Sequence, residues 1–142
     1  MNWLKKKKVL VPTDLSESSY EAIAVAKAYV EDASGLQVIH SLSPLHPADP
    51  AAMWDTLTDE ERKQKVHSFI SEKMNDLGYT GVHIEVTLGD PATQIIEFAE
   101  KTGAEMIVMP SQDHKSLSRF LIGSVAERVI RSAHCPVLVL KS

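Results

Sequence analysis

The chain has 142 residues, of which 44% are hydrophobic and 24% charged, and it carries a formal net charge of −4. A chain of this length favours one domain, here 1–142, and buries a core without a metal or disulfide staple. Its acidic balance gives no support to general nucleic-acid binding, and its one cysteine, Cys135, excludes an intramolecular disulfide and suits a reducing, cytoplasmic setting.

Lysines occupy positions 5 to 8, and only Val9, Leu10 and Val11 follow before Pro12. A secretory leader would place about 7–15 apolar residues after its charges, and a membrane span needs about 20, so neither a leader nor a membrane partner is expected. The lysines read as the solvated entrance to a strand. Lys8 to Val11 form that strand, ended by Pro12. Asp14 or Ser16 then caps a helix in which Ala22, Ala26, Tyr29, Val30 and Ala33 recur at helical spacing, with Gly35 as its stop. Leu36 to His40 make a second strand. Pro44, Pro47 and Pro50 mark a loop over 43–57, with one turn around Met53 and Trp54.

Thr58 and Glu61 have the spacing of a capping box, and Val66, Phe69, Ile70, Met74 and Leu77 define one face of a long helix that stops at Gly78. Val82 to Val86 alternate apolar and polar, the pattern of an edge strand with one wetter face. Asp90 suits an N-cap and Pro91 the first helical position. Ile95, Phe98 and Ala99 give the helix its buried side, and Gly103 ends it. Met106 to Met109 are apolar throughout, as in a central parallel strand covered on both faces. A polar loop over 110–122 leads to a last helix opened by Gly123 and Ser124, with Val125, Ala126, Val129 and Ile130 inward. Pro136 starts the final strand, Val137 to Leu140.

Strand and helix alternate throughout, which predicts an α/β fold: a doubly wound, five-stranded parallel sheet with helices on both faces, flavodoxin-like or related. In such folds ligands bind beyond the carboxyl ends of the strands, where strand order reverses. The loop after strand one, with Thr13 and Asp14, should meet the loop after strand four there. Asp14 is either a plain N-cap or a carboxylate for the hydroxyls of a ribose. The second loop offers Ser111, Ser116 and Ser118, the charges of His114, Lys115 and Arg119, and backbone N–H groups at Gly123, Ser124 and Val125 suited to an anion. The histidines have no metal-ligand spacing, and neither a Gly-x-Ser-x-Gly elbow nor a Walker lysine pattern occurs. Cys135 beside His134 reads as a small filler before a strand rather than a nucleophile.

Three separated stretches resemble the universal stress proteins: Val9 to Ser16, Gly89 to Ala92, and Ser118 to Ile130 followed by Cys135 to Val139. The resemblance runs the length of the chain in order. It implies the five-stranded, adenine nucleotide alpha hydrolase-like sandwich, homodimers, and cytoplasmic stress-response roles in which many members bind ATP without being efficient enzymes. Nucleotide contacts would fall on Pro12, Thr13, Asp14, Ser41 and Met109, and the phosphate part on Pro110, Ser111, Asp113, Gly123, Ser124 and Val125. The chain departs from the family there. Registered on Gly123 and Ser124, the first two glycines of the family's G-x2-G-x9-G pattern are replaced by Pro110 and Asp113. Proline cannot donate an N–H. A carboxylate about 4 Å from a phosphate oxygen is repelled by roughly 1 kcal/mol in water and about 4 kcal/mol near a protein surface, and about 1.4 kcal/mol is tenfold in affinity. Lys115, Arg119 or a bridging Mg²⁺ would offset it. The expected function is a homodimeric stress-response module that binds an adenine nucleotide, ATP or AMP, weakly. A nucleotide-independent protein-interaction dimer and a slow ATPase are the alternatives. Val137, Leu138, Val139 and Leu140, apolar on both faces at a sheet edge, are the expected dimer contact.

Overall fold

The computed structural model describes residues 5–43, 58–111 and 122–141. The turn expected at Met53 and Trp54, and Asp113, His114, Lys115, Ser116, Ser118 and Arg119 of the polar loop, lie outside those residues. In chain order the described elements are β1 (Val9–Pro12), α1 (Glu17–Lys27), β2 (Leu36–Leu42), α2 (Asp59–Asp76), β3 (His83–Leu88), α3 (Pro91–Thr102), β4 (Met106–Pro110), α4 (Ser124–Ser132) and β5 (Val137–Leu140).

The five strands form one parallel sheet in the order β3-β2-β1-β4-β5. Val9 pairs with Leu36 on one side and Met106 on the other, so β1 is central. The chain winds outward from β1 through β2 to β3, then returns to lay β4 and β5 on the opposite side. The reversal of winding falls between β1 and β4.

Successive residues of a strand face opposite sides of a sheet, and the core divides accordingly. Val9, Val11, Leu36, Val38, Met106 and Val108 pack with Ala22, Ile23 and Ala26 of α1 and Ile70 and Met74 of α2. Leu10, Ile39, Ile107 and Met109 pack with Ile95, Phe98 and Ala99 of α3 and Ala126 and Val129 of α4. This is why β1 and β4 are continuous apolar runs: each side of the strand meets a helix layer. Each fully buried aliphatic contributes about 1.5–3 kcal/mol. The alternating β3 lies at an edge, as its pattern predicts, and β5 forms the other edge.

The helix ends follow local chemistry. Thr58 caps α2 through the Glu61 N–H at 3.1 Å. Asp90 caps α3 through Thr93 and also pairs with Arg128, which ties α3 to α4. The Thr93 N–H and hydroxyl, then the Arg128 guanidinium, hold the Asp90 carboxyl below the usual carboxylate range. Gly103 ends α3 in the left-handed region at φ 70°, where glycine has no Cβ penalty. The lysines at the strand entrance are not merely solvated. Lys5 Nζ donates to Ala28 O at 2.8 Å and Lys8 Nζ to Thr102 O at 2.9 Å, so two of them cap the carboxyl ends of α1 and α3.

Three expectations need correction. The α1 helix stops at Lys27 and does not reach Ala33. Val30 and Ala33 are buried as their spacing requires, but Val30 makes a parallel bridge with Lys6, and Ala33 starts a short 3-10 turn capped by Asp32. Gly35 then passes so close to the Lys7 carbonyl that a Cβ would collide with it. Phe69 and Leu77 on α2 are exposed: its buried line is Ile70 and Met74, four residues apart, and Phe69 stands one residue round the helix. Ile130 is likewise exposed, because Ala126 and Val129 hold the inward line of α4.

Candidate functional site

A cleft of about 240 Å³ opens beyond the carboxyl ends of β1, β2 and β4, at the reversal of strand order where α/β sheets bind ligands. Its base is apolar, formed by Ile39, Ile95, Met109 and Ala126, which also belong to the α3–α4 side of the core. Its rim is mixed. The β1–α1 turn brings Pro12, Thr13 and Asp14, β2 brings His40 and Ser41, and the start of α4 brings Gly123 and Val125.

The turn carrying Asp14 is held tightly. Thr13 N–H donates to Ile39 O at 2.8 Å and extends the ladder by one residue past β1. Thr13 is 5% exposed, and its Oγ1 accepts the Leu15 N–H at 3.0 Å and meets Ser19 Oγ at 2.7 Å. The Asp14 carboxylate accepts the Ser16 N–H at 3.0 Å and the Ser16 hydroxyl. Leu15 takes φ 69°, the one positive-φ residue other than glycine among the described residues. Such a conformation costs about 1–3 kcal/mol and persists where its surroundings over-determine it. The helix cap is Ser16, not Asp14, through the Ser19 N–H. This removes the N-cap reading of Asp14, which stands on the cleft rim two residues before the cap, its carboxylate bonded to Ser16.

The opposite rim is the start of α4. Gly123 is its N-cap and offers no side-chain acceptor, so the first amides of α4 lack a capping side chain, with Val125 and Ala126 on the cleft. Two nearby backbone donors among the described residues are engaged within the protein. Ser111 N–H donates to Leu140 O at 2.9 Å and Gly123 N–H to Ser111 O at 2.7 Å.

Of the residues expected from sequence, Pro12, Thr13, Asp14, Ser41, Met109, Pro110, Gly123 and Val125 line the cleft. Ser111 and Ser124 do not. Ser111 is 6% exposed and its backbone fastens β5 and α4 together, while Ser124 faces solvent from the first turn of α4. Asp113 lies outside the described residues. Sequence reasoning missed Ser19, Ile39, His40, Pro91, Ile95 and Ala126. Ile39 and His40 were accessible to it, since they immediately precede Ser41 on the same strand. Pro91 and Ile95 were not, because only the sheet order shows that α3 crosses over the cleft. Cys135 is half-buried, and burial pushes its thiol above the usual range, in keeping with a filler.

Comparison with known proteins agrees with this geometry. The universal stress protein family matches residues 6–141. The chain belongs to that family. It is 38% identical to universal stress protein MJ0531 of Methanocaldococcus jannaschii, covering 95% of this chain and 82% of that protein. The solved structure of hypothetical protein MJ0577 superposes with a TM-score of 0.75 at 26% identity over 96% of both chains. Two more distant structures share the fold. One is a universal stress protein in complex with cAMP, at TM-score 0.67 and 21% identity over 97% of this chain and 99% of that one. The other is an Arabidopsis thaliana family member with AMP bound, at TM-score 0.63 and 19% identity over 95% of this chain and 91% of that one. No helix among the described residues of this universal stress protein is long and apolar enough to cross a membrane.

Proposed function

We propose that this universal stress protein is a cytoplasmic, homodimeric binding module whose cleft takes an adenine nucleotide, AMP in preference to ATP, without a committed chemical step. The observation that carries the reading is the locked Thr13–Asp14 turn on the rim of an apolar cleft, facing the start of α4. A flat base suits the apolar slot, a ribose diol suits the Asp14 carboxylate, and a phosphate suits amides at a helix N-terminus. Two proteins of this fold hold AMP or cAMP, so the architecture accommodates such ligands.

The preference for one phosphate follows from the donors among the described residues. Pro110 has no N–H, and the N–H groups of Ser111 and Gly123 are spent within the protein. The first turn of α4 then serves a single phosphate, and the sequence puts a carboxylate, Asp113, where the family pattern has its second glycine, which disfavours a longer chain. Isothermal titration with AMP, ATP and cyclic AMP, with and without Mg²⁺, tests this. AMP should bind more tightly than ATP in the absence of Mg²⁺, and Pro110→Gly should narrow the gap. No heat from any of them at millimolar concentration would remove the nucleotide reading.

The homodimer rests on a contrast between the two sheet edges. The β3 edge carries His83, Glu85 and Thr87, whereas β5 is Val137, Leu138, Val139 and Leu140, all partly exposed. Polar edges resist pairing and apolar ones invite it; a two-fold pairing of β5 with its copy closes the sheet symmetrically. Light scattering at micromolar concentration should give twice the 15.7 kDa chain mass. Val139 belongs to neither core cluster, so Val139→Lys should yield the monomer with its fold intact. A wild-type monomer would end the proposal.

A further inference from the structure

The turn that presents Asp14 is fastened partly by its own segment and partly by β2. Within the segment, Thr13 Oγ1 takes the Leu15 N–H, Asp14 takes the Ser16 N–H, and Ser19 Oγ donates to Ser16 O at 2.7 Å. From β2, the Ile39 carbonyl takes the Thr13 N–H, and the His40 ring reaches Thr13 O at 2.7 Å through Nδ1. A carbonyl only accepts, so Nδ1 carries the hydrogen and donates. The Thr13 carbonyl belongs to the peptide that joins Thr13 to Asp14. The imidazole therefore fixes the plane from which the Asp14 side chain departs. Its neighbour Leu15 is held at φ 69°, a conformation to which the turn has no intrinsic preference.

We propose that His40 is a positioning residue for the cleft: through the Thr13 carbonyl it holds the Asp14 carboxylate in the orientation that receives the ligand's hydroxyls. This rests on the nucleotide reading above. His40 also lines the cleft, so a double variant at His40 and Asp14 separates this action through Asp14 from a direct contact; its neighbour Ser41 is separately engaged with Thr87 Oγ1 at 2.9 Å.

The test is AMP titration of wild type, His40→Asn, His40→Leu, Asp14→Asn and the double variant His40→Leu/Asp14→Asn. The asparagine amide places an N–H close to the position of Nδ1; leucine places none. His40→Asn should stay within about threefold of wild type, and His40→Leu should lose about tenfold, worth about 1.4 kcal/mol. The double variant decides the mechanism. If His40 works through Asp14, the leucine substitution should cost little further once Asp14 has become asparagine, because residues in one hydrogen-bond network are not additive. Circular dichroism melts of each variant show that the titrations are made on folded protein. Equal losses in the asparagine and leucine variants, or losses that add in the double variant, would overturn the proposal while leaving the cleft a nucleotide site. A wild type that binds no AMP would take down the nucleotide reading and this inference together.

Discussion

Asp14→Asn should weaken AMP binding about tenfold, and Asp14→Ala about a hundredfold, with the fold retained in both. The carboxylate already accepts from Ser16, through the backbone N–H and the hydroxyl. A ribose offers two more donors, and hydrogen bonds to a charged group contribute about 1.5–3 kcal/mol each against about 0.5–1.5 kcal/mol for neutral ones. Asparagine keeps one acceptor for Ser16 and loses the charge, so about 1–2 kcal/mol should go, close to one decade. Alanine removes both acceptors and frees the Ser16 amide, so the turn loosens as well. Calorimetric titration with AMP and with adenosine reads both effects. Because the site sits at the diol, adenosine should suffer the same fold-loss as AMP, whereas a substitution at the start of α4 should affect AMP alone. Unchanged affinity in both Asp14 variants would mean that the ligand, if it binds, lies elsewhere.

How much of this was legible beforehand depended on the range of the interactions involved. The apolar runs at Val9 to Val11 and Met106 to Met109 announced buried strands because both sides of those strands meet helices. The alternation in β3 announced an edge. Caps at Thr58, Asp90 and Gly103 were visible because capping chemistry spans only three or four residues. Tertiary competition was not visible. The spacing of Val30 and Ala33 reported burial correctly and helix wrongly, since a bridge to Lys6 offered Val30 another buried place. Phe69 fits a helical apolar pattern, but the line buried in α2 is narrower than that pattern.

At the site the same division holds. Pro12, Thr13 and Asp14 follow from the rule that ligands bind past strand ends, helped by the family resemblance. Gly123 and Val125 follow from the helix start. His40 was passed over as one of six scattered histidines, because its part depends on a contact across 27 residues between neighbouring strands. Ser111 was assigned by its hydroxyl, yet what places it is its backbone, bonded to Leu140 and Gly123.

The second large effect is expected in the floor beneath the cleft. Leu10 is fully buried in the central strand, between Gln37 of β2 and Ile107 of β4. Its side chain belongs to the cluster that includes Ile39, Ile95, Met109 and Ala126, and those same residues line the cleft. Truncation there leaves a cavity that a central strand, bonded on both sides, cannot collapse to fill. Leu10→Ala should therefore cost about 3–4 kcal/mol, within the range for buried leucines. At about 2–4 °C per kcal/mol for a chain of this size, the melting temperature should fall by about 10 °C. Phe69→Ala, on an exposed side chain of α2, should stay within about 0.5 kcal/mol of wild type. Urea titrations at one protein concentration, so that any subunit association is held constant, compare the two. The cleft adds a second readout: if the floor is shared, Leu10→Ala should also weaken AMP at a temperature where it is fully folded, and Phe69→Ala should not. Equal stability losses in the two variants would contradict the layer assignment, because a sheet covered on both faces cannot treat a central strand residue and a solvent-facing helix residue alike.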